Sequence, residues 1–223
     1  MFAVGHLALG HICGYATSKM LKTDINLPII LLLSIAPDVD LLILQLQHRG
    51  PTHSLISAIT VFIPFLIVYK KRAIPYFIAL VQHSLIGDLI TGGNIQLLWP
   101  LNTQSYGIRI GIENPINIIL EWIVFTASIL IMLKTDHLTT LFTQHNSNLL
   151  LLAPISTVLL PTFLNYPLPV PTPLILPHLI YLIIFSTSII INLSKHPGST
   201  KRALGSDQRV NKIRQQYRSC NNI

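Results

Sequence analysis

Leu31-Leu32-Leu33-Ser34-Ile35-Ala36-Pro37-Asp38-Val39-Asp40-Leu41-Leu42-Ile43-Leu44 places two carboxylates two positions apart inside a run of hydrocarbon. Only eight acidic residues occur among the 223 of the chain, so the position of this pair needs a physical reason. An ionised carboxylate among leucines lacks solvation; it protonates, finds a cationic partner or binds a metal. Two positions on a regular helix turn through about 200°, which points Asp38 and Asp40 apart. Pro37 stands where it can break the helix and free both side chains.

His48-Arg49-Gly50-Pro51-Thr52-His53-Ser54 comes a few residues later. Val81-Gln82-His83-Ser84-Leu85-Ile86-Gly87-Asp88-Leu89-Ile90-Thr91 then sets another histidine and acid in a second apolar segment. These groups read as halves of one buried polar site. Imidazole suits zinc and related cations, and carboxylates balance their charge. His6, Asp38, Asp40, His53, His83 and Asp88 are therefore the candidate ligands. Six exceed one closed tetrahedral site, which leaves either two cations or one cation with supporting partners. The plainer alternative pairs Asp38 and Asp40 with Arg49 or with the amides of a broken helix. His11, His145 and His178 read as packing or interfacial residues, and His48 fits either role. Thr52 or Ser54 is placed to cap the next helix. Glu121, the one acid of its apolar segment, is a candidate general base, a further ligand or a structural carboxylate.

The chain is 51% hydrophobic and 10% charged, against about 25% charge in soluble domains, which points to an integral membrane protein. Its net charge of +7 does not imply a nucleic-acid partner, because seven of the fifteen Lys and Arg fall in the last 29 residues. A basic tail after a final apolar helix is a topology signal. Cys13 and Cys220 have neither pair nor metal spacing, so no structural disulfide is expected. The first basic residue is Lys19, unlike the start of a cleaved secretory signal.

Apolar segments at about 2–20, 28–46, 54–69, 74–91, 115–133, 148–164 and 174–193 predict an all-α polytopic bundle of six or seven helices. It forms a membrane-embedded domain over residues 1–194, with a basic tail over 195–223. Most segments approach the ~20 residues that cross a bilayer, the 54–69 segment being short. Pro28 is placed to start the second helix. Alternating crossings put thirteen basic residues, tail included, on one side and only Arg49 and Arg109 on the other. The positive-inside rule makes the first side cytoplasmic. The polar stretch between Thr91 and Pro115, with Trp99 and Tyr106, reads as an interfacial loop whose length suits a lid.

Gly5-His6-Leu7, Pro37-Asp38-Val39-Asp40, His48 to Ser54, Gly87-Asp88-Leu89-Ile90-Thr91 and Leu97-Leu98-Trp99-Pro100, in that order, resemble the YdjM family of membrane-bound metal-dependent hydrolases. The resemblance covers about residues 1–125. It implies a relation to the all-helical zinc-dependent phospholipases C and single-strand nucleases, which cleave phosphodiesters with a cluster of metal ions. It also implies metal-binding positions at His6, Asp38, Asp40, His53 and Asp88. One departure stands out: the family pattern has a histidine four residues before the later aspartate, whereas here Ser84 holds that place and His83 is one further back. Five residues on a regular helix put about 140° between the two groups unless a bulge intervenes.

The leading expectation is a multi-pass cell-membrane hydrolase in which a divalent cation, zinc by preference, activates water against a phosphoester of a lipid or lipid-linked substrate. Arg49 would stabilise the developing anion, and Asp40 or Glu121 would take the proton. The alternatives are a metal or proton transporter, although no repeat between the halves is visible, and a non-catalytic scaffold whose tail recruits a partner.

Overall fold

Asn26 and Pro28 open the second helix as expected: the Asn26 side chain accepts the Ile29 N–H at 3.3 Å, and the proline sits in the first turn, where no amide is needed. In this computed structural model, which describes residues 1–43, 46–143 and 145–194, all regular structure is helical. The α-helices are α1 (Ala3–Leu21), α2 (Leu27–Ile35), α3 (Leu55–Tyr69), α4 (Ile74–Gln82), α5 (Pro115–Lys134), α6 (His137–Leu141), α7 (Leu152–Leu164) and α8 (Thr172–Ser194). Setting aside the five-residue α6 leaves seven. The basic tail over 195–223 lies outside the described residues.

Among the described residues, three stretches are long and apolar enough to cross a membrane: Pro115–Lys134, Asn146–Leu164 and Thr172–Ser194. In the first half α1 stays continuous over 19 residues and α3 is short as expected, whereas the runs at 28–46 and 74–91, expected to be regular helices throughout, change helix type part-way. α2 stops after 9 residues and gives way to a 3-10 helix, Ala36–Leu42. α3 has 15 residues, about 22 Å of helix against a hydrocarbon core of about 30 Å. α4 runs into a π-helical turn, His83–Asp88. Hydropathy counts apolar residues and is blind to the backbone changes that a polar site demands.

α1 occupies the centre, with Val4, Leu7, Ala8, Gly10 and His11 all buried. Small residues permit this: a Cβ on Gly10 would collide with Ser34 of α2, and one on Gly87 would lie 2.5 Å from the His6 ring. Phe125, Tyr181 and Phe185 close the core from α5 and α8. Outward, α3, α5 and α8 expose Val61, Ile67, Ile119, Ile123, Ile183 and Ile190. An apolar surface this continuous faces lipid rather than water.

Candidate metal centre

At three residues per turn, the 3-10 helix after α2 separates Asp38 from Asp40 by about 240°, so the two carboxylates serve different places. His53 lies between them, presented by the short 3-10 turn Pro51–His53, after which the Ser54 side chain caps α3. Its Nε2 is 3.4 Å from Asp38 Oδ1, and its Nδ1 is 3.2 Å from Asp40 Oδ2.

The π turn supplies the other half. In it the Leu89 N–H reaches the Ser84 carbonyl five residues back, and this wider turn brings residues five apart onto one face. His83 Nε2 consequently lies 3.7 Å from Asp88 Oδ2. The bulge is the conformation that lets the five-residue spacing of this sequence converge.

Asp38, His53, His83 and Asp88 meet with their donor atoms within 4.8 Å of one another. Asp38 Oδ1 is 3.3 Å from His83 Nε2, and Asp88 Oδ2 is 3.3 Å from His53 Nε2. Such separations are long for N–H···O hydrogen bonds. They match the edge of a tetrahedron with metal–ligand bonds of about 2.0–2.2 Å, which is about 3.3–3.6 Å. Nε2 of His53 and Nε2 of His83 are buried without a hydrogen-bond partner. His83 Nδ1 donates to the Ser34 carbonyl at 2.8 Å, so its Nε2 carries the lone pair. Nδ1 of His53 faces Asp40 and Thr52 Oγ1, which aims its other nitrogen at the centre in the same way. These four residues fit a divalent cation.

Charge points the same way. Burial opposes a charged imidazole at His53, but the facing carboxylates of Asp38, Asp40 and Asp88 outweigh it and push its pKa up to about 11. Three carboxylates thus favour positive charge between them, whether carried by a proton or by a metal.

The remaining sequence candidates stand around this cluster. Asp40 is buried and fully engaged: its oxygens accept from Thr52 Oγ1 at 2.7 Å and from the Arg49 N–H at 3.2 Å, and one faces His48 Nδ1 at 3.0 Å. Asp40, His48 and His53 also lie close enough to hold a cation. We favour a hydrogen-bonded clamp, because 3.0 and 3.2 Å are hydrogen-bond lengths and the carboxylate has spent its lone pairs. His6 stacks on His83 with ring centroids 3.6 Å apart, and its Nε2 is 3.4 Å from Asp88 Oδ1. Arg49 Nε is 3.6 Å from Asp88, while its Nη1 donates to the Gly93 carbonyl at 3.0 Å. Glu121 is not brought into the cluster. It accepts the Phe2 N–H and the Asn117 amide, each at 2.9 Å, and so anchors the segment whose Met1 amino group touches Asp88.

Sequence reasoning left His48 undecided. Its place in the same short motif as His53, eight residues after Asp40, was the available signal. His48 and Arg49 join Asp38 and Asp88 at one end of a cavity of about 470 Å³. The polar loop after Thr91 is pinned by Arg49 and by the Gly92 N–H on the Ile110 carbonyl, and it contributes Ile112 to the cavity.

No curated protein and no solved structure is similar enough to the chain to count as a match. The family described as YdjM inner membrane protein matches residues 1–167, which takes in the whole cluster and extends past the last motif and just beyond α7. The chain therefore belongs to the YdjM inner membrane protein family.

Proposed function

We propose that this protein is a membrane-embedded, metal-dependent hydrolase that uses water to cleave a phosphoester of a lipid or lipid-linked substrate. The observation that carries the reading is the pair of partnerless imidazole nitrogens facing two carboxylates at the wall of a cavity that also holds Arg49. Asp38, His53, His83 and Asp88 would hold the cation, with zinc favoured by the mixed imidazole and carboxylate set. When bound, it supplies Lewis acidity and lowers the pKa of water. Arg49, at the cavity wall, offers a guanidinium to the anionic phosphoryl oxygens. His48, held through Nδ1 by Asp40 and partly exposed, accepts the proton that water loses. His6 backs His83 by stacking. The distribution of basic residues supports a cytoplasmic carboxy terminus.

Purified protein should contain stoichiometric metal and hydrolyse a soluble phosphodiester, and Asp38→Ala should lose both. Stoichiometric metal with flux across reconstituted vesicles and no turnover would favour the transporter. Metal content far below one per chain would end both readings.

A further inference from the structure

The cavity beside the cluster has two chemically distinct ends. Asp38, His48, Arg49 and Asp88 form the polar end. The remainder is mainly apolar and includes Leu32 and Ile35 of α2 and Ala153, Ser156, Thr157 and Leu160 of α7. The two hydroxyls are already used within α7: Ser156 donates to the Ala153 carbonyl at 2.8 Å, and Thr157 to the Pro154 carbonyl at 3.0 Å. Their O–H donors are therefore spent inside the helix, and neither has one left to offer the cavity. The segment after α7 is tied to the Asp38-bearing 3-10 helix by Tyr166, whose hydroxyl donates to the Leu41 carbonyl at 3.0 Å. Apolar wall and polar end are held in one frame.

We propose that the α2–α7 space is a subsite for one hydrocarbon chain of an amphipathic phosphoester, with the anionic head at Arg49 and the chain length set by Ala153, Thr157 and Leu160. The proposal rests on the hydrolase reading and makes it specific. The charged residues match a phosphate, the mainly apolar rest matches a hydrocarbon chain, and 470 Å³ is the size of a ligand pocket rather than of a packing defect. The small Ala153 and the self-satisfied Thr157 are what keep the space open.

The test uses full-length protein in detergent and a series of alkyl p-nitrophenyl phosphodiesters differing only in chain length. For the wild type, kcat/KM should rise about fourfold per added methylene, the worth of one buried CH₂, until the space is full. Thr157→Phe and, more mildly, Ala153→Leu should bring the plateau to shorter chains, with metal content as the control for folding. Leu160→Ala should move it to longer ones. Turnover independent of chain length, or plateaus that none of the three variants moves, would overturn the proposal. A non-hydrolysable alkyl phosphonate series, read by binding to the metal-loaded protein, separates the two ideas. Chain-dependent affinity that Thr157→Phe shortens supports the subsite even if no ester is cleaved, and chain-independent affinity overturns it.

Discussion

α2 and α8 are both strongly apolar, and both meet a proline, yet they respond to it differently. Pro177 lies inside α8, which continues to Ser194. The proline lacks the amide that would bond the Pro173 carbonyl, and Trp122 of α5 fills the gap with its indole N–H at 3.0 Å. Pro37 comes just after α2, and here the helix gives way. The Ser34 carbonyl near that break is taken by His83 Nδ1 at 2.8 Å. Each interruption recruits a donor from another helix. In α8 the donor supports a helix long and apolar enough to cross a membrane, whereas in α2 it fixes the tautomer of a candidate ligand. The difference lies in the residues beyond each proline: more hydrocarbon after Pro177, Asp38 and Asp40 after Pro37.

The sharpest way to break the comparison is to exchange positions 83 and 84. The double substitution His83→Ser, Ser84→His shortens the spacing to Asp88 from five residues to four. Within the π turn it moves the imidazole off the Ser34 carbonyl and away from Asp38. Metal affinity should fall at least 100-fold, more than the loss of a supporting group causes, as read by competition with a chelating dye. Retained affinity would mean that the turn relaxes to a regular helix and that the bulge is incidental.

That turn also marks the limit of what was legible in the sequence. The scarcity of acids in hydrocarbon was enough to place Asp38, His53 and Asp88 in one group, Pro28 announced its helix through local chemistry, and of Thr52 and Ser54, both open as caps, Ser54 is the one used. The role of Asp40 was not legible, because a carboxylate that clamps two histidines and one that binds a cation look alike in a string of letters. Only the positions of Thr52 Oγ1 and the Arg49 amide separate the two. The division between broken and continuous helices was hidden for a related reason. Leu27–Ile35 and Thr172–Ser194 are both apolar and both meet a proline, and hydropathy does not show that each break is met by a side chain from a distant part of the chain. The contribution of α7 to the cavity wall carries no motif at all.

Asp40→Asn sharpens the contrast between a ligand and its support. The amide keeps the shape but cannot accept from His48, His53, Thr52 and Arg49 together. Metal affinity should drop about 10- to 100-fold, less than for Asp38→Ala, with occupancy recovered at high metal concentration. A loss as complete as that of Asp38→Ala would make Asp40 a ligand instead.

Gly92→Ala tests the loop that Arg49 pins. Gly92 has φ +86°, and a Cβ there would run into the guanidinium. The side chain of Arg49 would have to leave its place over the loop, so turnover should fall about tenfold, the loss of part of a charge-assisted contact worth roughly 1.5–3 kcal/mol. Metal content should stay at the wild-type level, since Arg49 holds no cation. Loss of metal in this variant would show that the loop supports the cluster directly.

The smallest effect is expected at the other proline. Trp122→Phe keeps an aromatic ring against Phe125 but removes the N–H from the Pro173 carbonyl. A backbone carbonyl facing lipid has no water to turn to, so the cost should be near ~1 kcal/mol, at the lower end of the penalty for an unmet buried acceptor because the contact lies at an exposed edge of α5. Thermal unfolding in detergent should shift by a few degrees while metal affinity stays unchanged. If metal affinity also falls, the continuous apolar helices and the broken ones are energetically coupled, and α5 and α8 shape the site as well as enclosing it.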